Sequence, residues 1–275
     1  MANPRIPRLR AALTLLSVVM VAAAAVPARA VEPLTERFQK TYELTGVTRV
    51  RLQNVNGPVK VSTWENGTFR LEALKKARGR RAEERLAETE IRVSKRGETI
   101  DVETILPKRG RLFGLFSFGD AQGAEVSYDL QLPPSVTVEV ETVNGKIVAE
   151  KRTGSLSLNT VNGSVRVEAH DGPLHVNTVN GSVDVAFLGP LRPSELETVN
   201  GSVLVACSRQ SSIRYQLQTV NGRIRSDFTG LTVEGKWGPK EARGSLNGGQ
   251  DRLAVETVNG EIRLLSLEEK SSPAK

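Results

Sequence analysis

A four-residue motif, Thr-Val-Asn-Gly, recurs through the second half of the chain and constrains its fold more than any other feature. The Asn residues of the motif follow one another at intervals of 18, 18, 20, 21 and 38 residues. We interpret the last interval as two repeats of 19 with a degenerate unit between them. A recurring period of this kind is typical of repeat architectures, in which one small unit is stacked many times. The motif occupies residues 142–145, 160–163, 178–181, 198–201, 219–222 and 257–260, and a relative, Asn-Val-Asn-Gly, occupies residues 54–57.

Short segments in which apolar and polar residues alternate flank each motif. Leu174 and Val176 precede the motif at 178–181, for example, and Val183 and Val185 follow it. Alternation with a period of two predicts half-buried β-strands, so we predict an all-β chain. We expect the Asn and Gly between the two strands to adopt the left-handed backbone that a sharp reversal needs.

Two architectures accommodate such a repeat. In a parallel β-solenoid (β-helix-like) with coils of about 18–21 residues, Asn-Gly is the corner between two sheets, and stacked corners form a ladder of Asn amides. In an antiparallel hairpin meander or sandwich, Asn-Gly is the type I′ turn of a hairpin. We favour the solenoid because near-identical corners can stack in register. The predicted corner residues are Asn56, Gly57, Asn144, Gly145, Asn162, Gly163, Asn180, Gly181, Asn200, Gly201, Asn221, Gly222, Asn259 and Gly260.

The chain divides into four regions around the repeats. Residues 1–30 have a basic start, an apolar run and small residues at Ala28 and Ala30, a pattern that predicts a secretory signal peptide cleaved after Ala30. Residues 31–130 are expected to be an irregular β region with a short charged helix within 73–90 and a Phe-rich loop, 107–124, that is either a cap or a contact site. Residues 131–266 are expected to form the repeat solenoid, continuous with that region, and residues 267–275 a flexible tail.

Composition excludes several functional classes. Removal of the leader lowers the net charge from +7 to about +3, so we expect no nucleic-acid partner. No second long apolar stretch follows the leader, so we expect no transmembrane anchor after cleavage. A single Cys rules out an intramolecular disulfide and a Cys-based zinc site. We expect His170 and His175 to be exposed near turns and Cys207 to lie in the core. We therefore predict no catalytic residues, no metal site and no cofactor.

The best candidate binding surface is the outer face of the strands that precede the corners. Parity along these strands predicts outward-facing polar residues with five acids and no Lys or Arg, a surface that could hydrogen-bond a glycan or a basic partner. Opposite in parity to the core, the motif valines are expected to form an apolar stripe at the corner: Val143, Val161, Val179, Val199, Val220 and Val258. The candidate binding residues are Glu139, Glu141, Asn159, Asn177, Glu195, Glu197, Gln216 and Gln218.

The pattern resembles the bacterial "putative adhesin" repeat family, a domain of unknown function found in exported proteins. The resemblance rests on the segment around Asn56-Gly57, the Thr-Val-Asn-Gly run and a closing segment, 235–260, and it spans roughly residues 40–266. It implies a β-helix-like envelope or surface protein without an assigned active site. We therefore expect an exported, non-enzymatic interaction protein, in the periplasm or at the cell surface, with an envelope glycan or protein as its partner. The alternatives are a polysaccharide-acting β-helix enzyme and a periplasmic envelope-stress structural factor.

Overall fold

The computed structural model describes residues 32–106, 123–235 and 238–267. These residues form an all-β structure of two large mixed sheets with one short helix. The predicted signal peptide, residues 107–122 of the Phe-rich loop and residues 268–275 of the tail lie outside the described residues. Within the described part of the chain, no helix is long and apolar enough to cross a membrane.

The strands follow the predicted alternation. In chain order the elements are β1 (Leu34–Glu43), β2 (Arg49–Gln53), β3 (Val59–Thr63), β4 (Thr68–Ala77), α1 (Ala82–Glu88), β5 (Glu90–Arg96), β6 (Thr99–Ile105), β7 (Glu125–Leu132), β8 (Thr137–Asn144), β9 (Ile147–Glu150), β10 (Leu156–Asn162), β11 (Val165–His170), β12 (Leu174–Asn180), β13 (Val183–Phe187), β14 (Ser194–Asn200), β15 (Val203–Ser208), β16 (Ile213–Thr219), β17 (Ile224–Ser226), β18 (Lys240–Leu246), β19 (Asp251–Asn259) and β20 (Ile262–Leu267).

The two strands of each repeat lie in different sheets. Sheet one has the strand order β1-β4-β7-β3-β9-β11-β13-β15-β20-β17, and sheet two has the order β18-β16-β19-β14-β12-β10-β8-β2-β6-β5. Neighbouring repeats pair in parallel with equal positions opposite, so that Asn162 lies beside Asn144 and Asn180. The strands on either side of Asn-Gly are not paired with each other, so the hairpin of the alternative architecture is not formed. Two opposed sheets are nevertheless compatible with a sandwich-like arrangement.

The core lies between the two sheets. Inward-facing residues of both sheets form one hydrophobic cluster, to which the Asn180 repeat contributes Leu174, Val176, Val183 and Val185. Each buried aliphatic side chain contributes roughly 1.5–3 kcal/mol relative to an exposed one. Because every repeat buries an equivalent set, stability is distributed along the stack.

The Thr and Asn of the motif hold successive corners together. The buried Thr178 hydroxyl donates to the carbonyl oxygen of Gly163 at 3.0 Å, and Thr198 donates to Gly181 at 2.9 Å. The Asn side chains form the predicted ladder, in which each Nδ2 donates to the Oδ1 of the neighbouring Asn at 2.7–2.9 Å. In spatial order the ladder runs through Asn56, Asn144, Asn162, Asn180, Asn200, Asn259 and Asn221.

Glycine is needed at the corners for close approach rather than for a left-handed backbone, so the expectation of a left-handed reversal is wrong for most of them. Among the predicted corner residues, all of which the structure describes, only Gly57 has a positive φ, at 118°. At Gly163 and Gly181 a Cβ atom would overlap the carbonyl oxygen of the preceding corner glycine. A larger residue would therefore push successive repeats apart.

The order of the repeats in space differs from their order in the chain. The 38-residue interval does not hold two stacked repeats: after β17, the segment returns as β18, which pairs antiparallel with β16. The last repeat, β19 and β20, is then inserted between the Asn200 and Asn221 repeats. The interpretation of this interval as a degenerate stacked unit is therefore wrong.

The other end of the stack is also out of chain order. The Asn56 repeat, β2 and β3, lies between the Asn144 repeat and the pair formed by β6 and β7. Antiparallel strands β4, β1 and β5 complete this end. Only Ala82–Glu88 of the predicted helical stretch 73–90 is helical, because β4 buries Phe69 and Leu71 and continues to Ala77 between two strand partners.

The corners opposite the Asn ladder contain two buried basic side chains. Arg152 is fully buried and donates to the carbonyl oxygens of Leu132 at 2.9 Å and Val136 at 2.7 Å. Burial lowers the pKa of Arg152 to about 10. His170, expected to be exposed, is fully buried: Nδ1 lies 2.9 Å from the carbonyl oxygen of Arg152, and its ring faces Phe187. Burial lowers the pKa of His170, since desolvation disfavours the imidazolium.

Substituting Gly181 by Ala is expected to destabilise the fold by about 2–3 kcal/mol, because the new Cβ would overlap backbone atoms of the neighbouring corner. Gly189→Ala is the matched control, since nothing lies within 4 Å of a Cβ there. Urea unfolding of both variants measures the difference. Equal free energies of unfolding for the two variants would show that neighbouring corners can move apart without loss of stability, which would contradict the prediction.

Acidification through pH 6.5 is expected to lower the free energy of unfolding, because the lowered pKa of His170 makes the unfolded chain bind the proton first. The slope contributed by this group is at most about 1.4 kcal/mol per pH unit. Urea unfolding between pH 7.5 and 5 should show that slope in the wild type and in the control His175→Asn. The slope should shrink in His170→Asn, and an unchanged slope there would contradict the assignment.

Candidate functional site

Two columns of side chains run side by side along the outer face of sheet two, next to the Asn ladder. We name them the polar column and the valine column. The polar column comprises one residue from each of seven adjacent strands; five members of the valine column lie on the same strands, and Val55 and Val220 lie just beyond the ends of β2 and β16. At the usual strand spacing each column is about 29 Å long. In spatial order the polar column is Gln53, Glu141, Asn159, Asn177, Glu197, Glu256 and Gln218, and the valine column is Val55, Val143, Val161, Val179, Val199, Val258 and Val220.

The predicted apolar stripe is present on the surface. The side chains of Val161, Val199, Val220 and Val258 are 37–41% exposed. Packing of these valines on one another therefore leaves much of their surface in contact with solvent. An exposed apolar row beside a polar row gives this face two chemically different walls.

Two grooves lie between these walls and meet at Asn177. One has a volume of about 430 Å³ and is lined by Glu141, Asn159 and Asn177 together with Val143 and Val161, among others. The second has a volume of about 590 Å³, and its lining continues through Glu197, Gln218 and Glu256 to the segment between β17 and β18. Glu234, Lys240 and Glu241 belong to that segment and to the start of β18.

Arginine neutralises the end of the face nearest β2. Glu139 Oε2 accepts from Arg51 Nε at 2.8 Å, and Glu139 Oε1 lies 3.1 Å from Arg49 Nε. The hydrogen bond to Glu139 raises the pKa of Arg51. Glu141 accepts from Gln53 Nε2 at 3.0 Å. The expectation of a face without Lys or Arg is therefore wrong, because β2 places Arg51 beside Glu139.

The larger groove keeps a negative charge. Glu197 and Glu256 lie on neighbouring strands in the same register, and Glu197 accepts from Asn177 Nδ2 at 3.0 Å. Glu241 accepts from Gln218 Nε2 at 2.6 Å and forms an ion pair with Arg243. The ammonium of Lys240 donates to the carbonyl oxygen of Gly222 at 2.7 Å instead of to a carboxylate.

The structure brings together five of the eight predicted binding residues. Glu141, Asn159, Asn177, Glu197 and Gln218 line the grooves. The other three, Glu139, Glu195 and Gln216, lie two positions earlier on their strands and form a separate row. In that row Glu195 Oε2 lies 3.3 Å from His175 Nδ1.

The groove side chains are suited to hydrogen bonding and packing. Three strand spacings along sheet two, or about 14 Å, separate the Glu139–Glu141 pair from the Glu195–Glu197 pair. Among the residues that the structure describes, no group of three or more His, Cys, Asp or Glu could hold a metal ion. Cys207 is buried as predicted, and burial raises the pKa of its thiol, which lowers its reactivity.

Several residues of this face were not among the candidates. Glu256 has the expected parity, and its place beside Glu197 follows only from the insertion of β19. Glu234, Lys240 and Glu241 come from the return segment, which carries no motif. Continuing the parity of β16 and β19 by one step would have found Arg214 and Arg252 on the same face.

No protein-family model matches this sequence. No curated protein matches it either. Several solved structures are similar to the chain, among them the following three. A "putative cell adhesion protein" from Clostridium sporogenes is 14% identical, with a TM-score of 0.49 over 85% of this chain and 100% of that one. A "putative adhesin" from Bacteroides fragilis is 11% identical, with a TM-score of 0.45 over 86% and 100%.

The third structure, described as a "putative lipid binding protein" from Parabacteroides distasonis, is 10% identical, with a TM-score of 0.30 over 86% of this chain and 97% of that one. The names of the first two agree with the resemblance noted from the motifs.

Proposed function

We propose that this chain is an exported, non-enzymatic interaction protein of the cell envelope or surface that binds an elongated glycan along the outer face of sheet two. The observation that carries the proposal is the parallel course of the polar column and the valine column over about 29 Å.

We further propose that the stack is a β-solenoid. In it, the first and the last repeat each lie one position away from the place that their order in the chain would give them.

The chemistry of the two columns favours a carbohydrate ligand. The polar column supplies amides, which both donate and accept, and carboxylates, which accept hydrogen bonds from hydroxyl groups. The valine column supplies an apolar surface against which the C–H face of a sugar ring can pack. A glycan chain offers hydroxyl groups and C–H faces along its whole length, so it matches both columns at once.

The absence of an enzymatic role is part of the proposal, and the spacing of carboxylates supports it. Glycoside hydrolysis needs two carboxyl groups within about 10 Å on opposite sides of the scissile bond. Glu197 and Glu256 are closer than that, but they lie side by side on one wall of the groove. Glu241 and Glu234 continue the same line of paired positions across the sheet. Carboxylates in such a row can bind a ligand on one side, but they do not stand on opposite sides of it.

Replacing Val199 by Thr is expected to weaken glycan binding at least several-fold, because the substitution keeps the shape of the side chain and adds a hydroxyl to the apolar wall. Val148→Thr, on the outer face of sheet one, is the matched control and should bind like the wild type. Binding is measured on an array of immobilised linear polysaccharides, followed by a length series of oligosaccharides from the best of them. Affinity should rise with length until the ligand spans the grooves.

Two outcomes of that experiment count against a glycan. One is no saturable binding to any polysaccharide. The other is polysaccharide binding by Val199→Thr that is as strong as binding by the control Val148→Thr. Binding to oligolysine that salt abolishes would instead favour a basic partner for the Glu197 and Glu256 carboxylates.

Export is tested by fractionating the native host with an antibody to residues 31–275 and by adding protease to intact cells. We expect recovery from the envelope or the medium, with the chain shortened by the leader. Degradation on intact cells would place the protein at the surface. Protection until the envelope is opened would leave a periplasmic role, and recovery with the cytoplasmic fraction would overturn the proposal.

A further inference from the structure

A third groove, of about 570 Å³, lies on sheet two at the ends of β16, β18 and β19 that are farther from the Asn ladder. Three arginines line it. They are Arg214 on β16, Arg243 on β18 and Arg252 on β19, and we name them the arginine cluster. Gln216 and Ser245 add an amide and a hydroxyl to the same lining. This groove is separate from the two grooves beside the valine column, so its chemistry is independent of the proposed glycan function.

The pairing of the strands forces two of these arginines together. Arg214 and Arg252 occupy equal positions on adjacent parallel strands, so their backbones are about 4.8 Å apart. Both side chains are exposed on the same face of the sheet. Arg243 lies beside Gln216 on the next strand, and Ser245 lies beside Arg214.

The cluster carries more positive charge than its neighbours compensate. Within the described part of the chain, Arg214 and Arg252 form no ion pair or side-chain hydrogen bond, whereas Arg243 is paired with Glu241. Glu195 on the adjoining strand β14 lies beside Ala254 and is in contact with His175; it lines a neighbouring groove together with Arg252 but forms no ion pair with it. Two guanidinium groups without an ion-pair partner among the described residues therefore face one groove.

We propose that the arginine cluster binds a phosphate group. Two uncompensated guanidinium groups match the charge of about −1.5 to −2 that a phosphate monoester carries near pH 7. The planar fork of donors on each guanidinium suits bidentate contact with phosphate oxygens. The Ser245 hydroxyl and the Gln216 amide supply further donors at the same groove.

The arrangement is not one that folding alone favours. Like charges directly opposite each other on neighbouring strands destabilise a sheet. A single neutral substitution, Arg214→Gln or Arg252→Gln, would remove that repulsion and keep a long polar side chain. The phosphate-free protein should therefore be as stable in either variant as in the wild type, or more stable.

The test measures thermal unfolding of the full chain while inorganic phosphate replaces chloride at constant ionic strength. Phosphate should raise the Tm of the wild type in a saturable manner, because a ligand that binds only the folded state stabilises it. Arg214→Gln and Arg252→Gln should each weaken the apparent phosphate affinity about tenfold or more. Arg37→Gln, which removes an exposed arginine from β1 in sheet one, is the matched control and should respond like the wild type.

The proposal is overturned if the wild type shows no saturable response, or if the cluster variants respond as strongly as Arg37→Gln. The source of the phosphate is identified by two further arms. Competition of inorganic phosphate by glycerol phosphate supports a soluble monoester. Cosedimentation with phosphatidylcholine vesicles that contain phosphatidic acid, lost in Arg214→Gln, supports a lipid headgroup.

Discussion

The close approach of successive corners is the constraint on which the rest of the structure depends. The carbonyl oxygen of each corner glycine occupies the space where a side chain would begin on the next corner glycine, as at Gly163 and Gly181. That proximity allows Thr178 to reach the Gly163 carbonyl and Asn180 to reach Asn162. Because all three contacts require equal positions to be opposite, they fix the register of both sheets. The alignment of the outer columns is a consequence.

Within one repeat, the residues that hold the stack together are distinct from those that form the polar column. Thr, Asn and Gly of the motif hold the stack, and packing explains why all three recur in six repeats of this chain. The residue before the motif is free to vary, and it is Gln, Glu or Asn in the polar column. Where the first repeat has Asn54 in place of Thr, the Asn54 amide takes the Gly57 carbonyl, and Thr142 is left without a hydrogen-bond partner in the described residues. The residues of the polar column can thus differ from repeat to repeat without affecting the register.

The local sequence pattern predicted those features of the fold that depend on residues close together in the chain. The alternation around Leu174 and Val183 predicted the strands and their buried faces, and the repeated Asn predicted the ladder. The position of the last repeat was not predictable, because it depends on β18 pairing antiparallel with β16 and leaving a place for β19. The same event assembles the arginine cluster from three strands. The burial of His170 was missed because the corner opposite the ladder has no repeated motif, so its geometry depends on Arg152 and Phe187.

The insertion of the last repeat also determines how the stack bears mechanical load. A strand at the edge of a sheet can be peeled away one hydrogen bond at a time. By contrast, β19 and β20 each have a paired strand on both sides. Tension transmitted through residue 267 therefore first breaks the pairing of residues 265–267 with β15 alone. It then reaches residues 262–264, which are paired with β15 and β17 together. The end of β20 therefore resists load most strongly at Ile262–Leu264, where it has a strand partner on both sides.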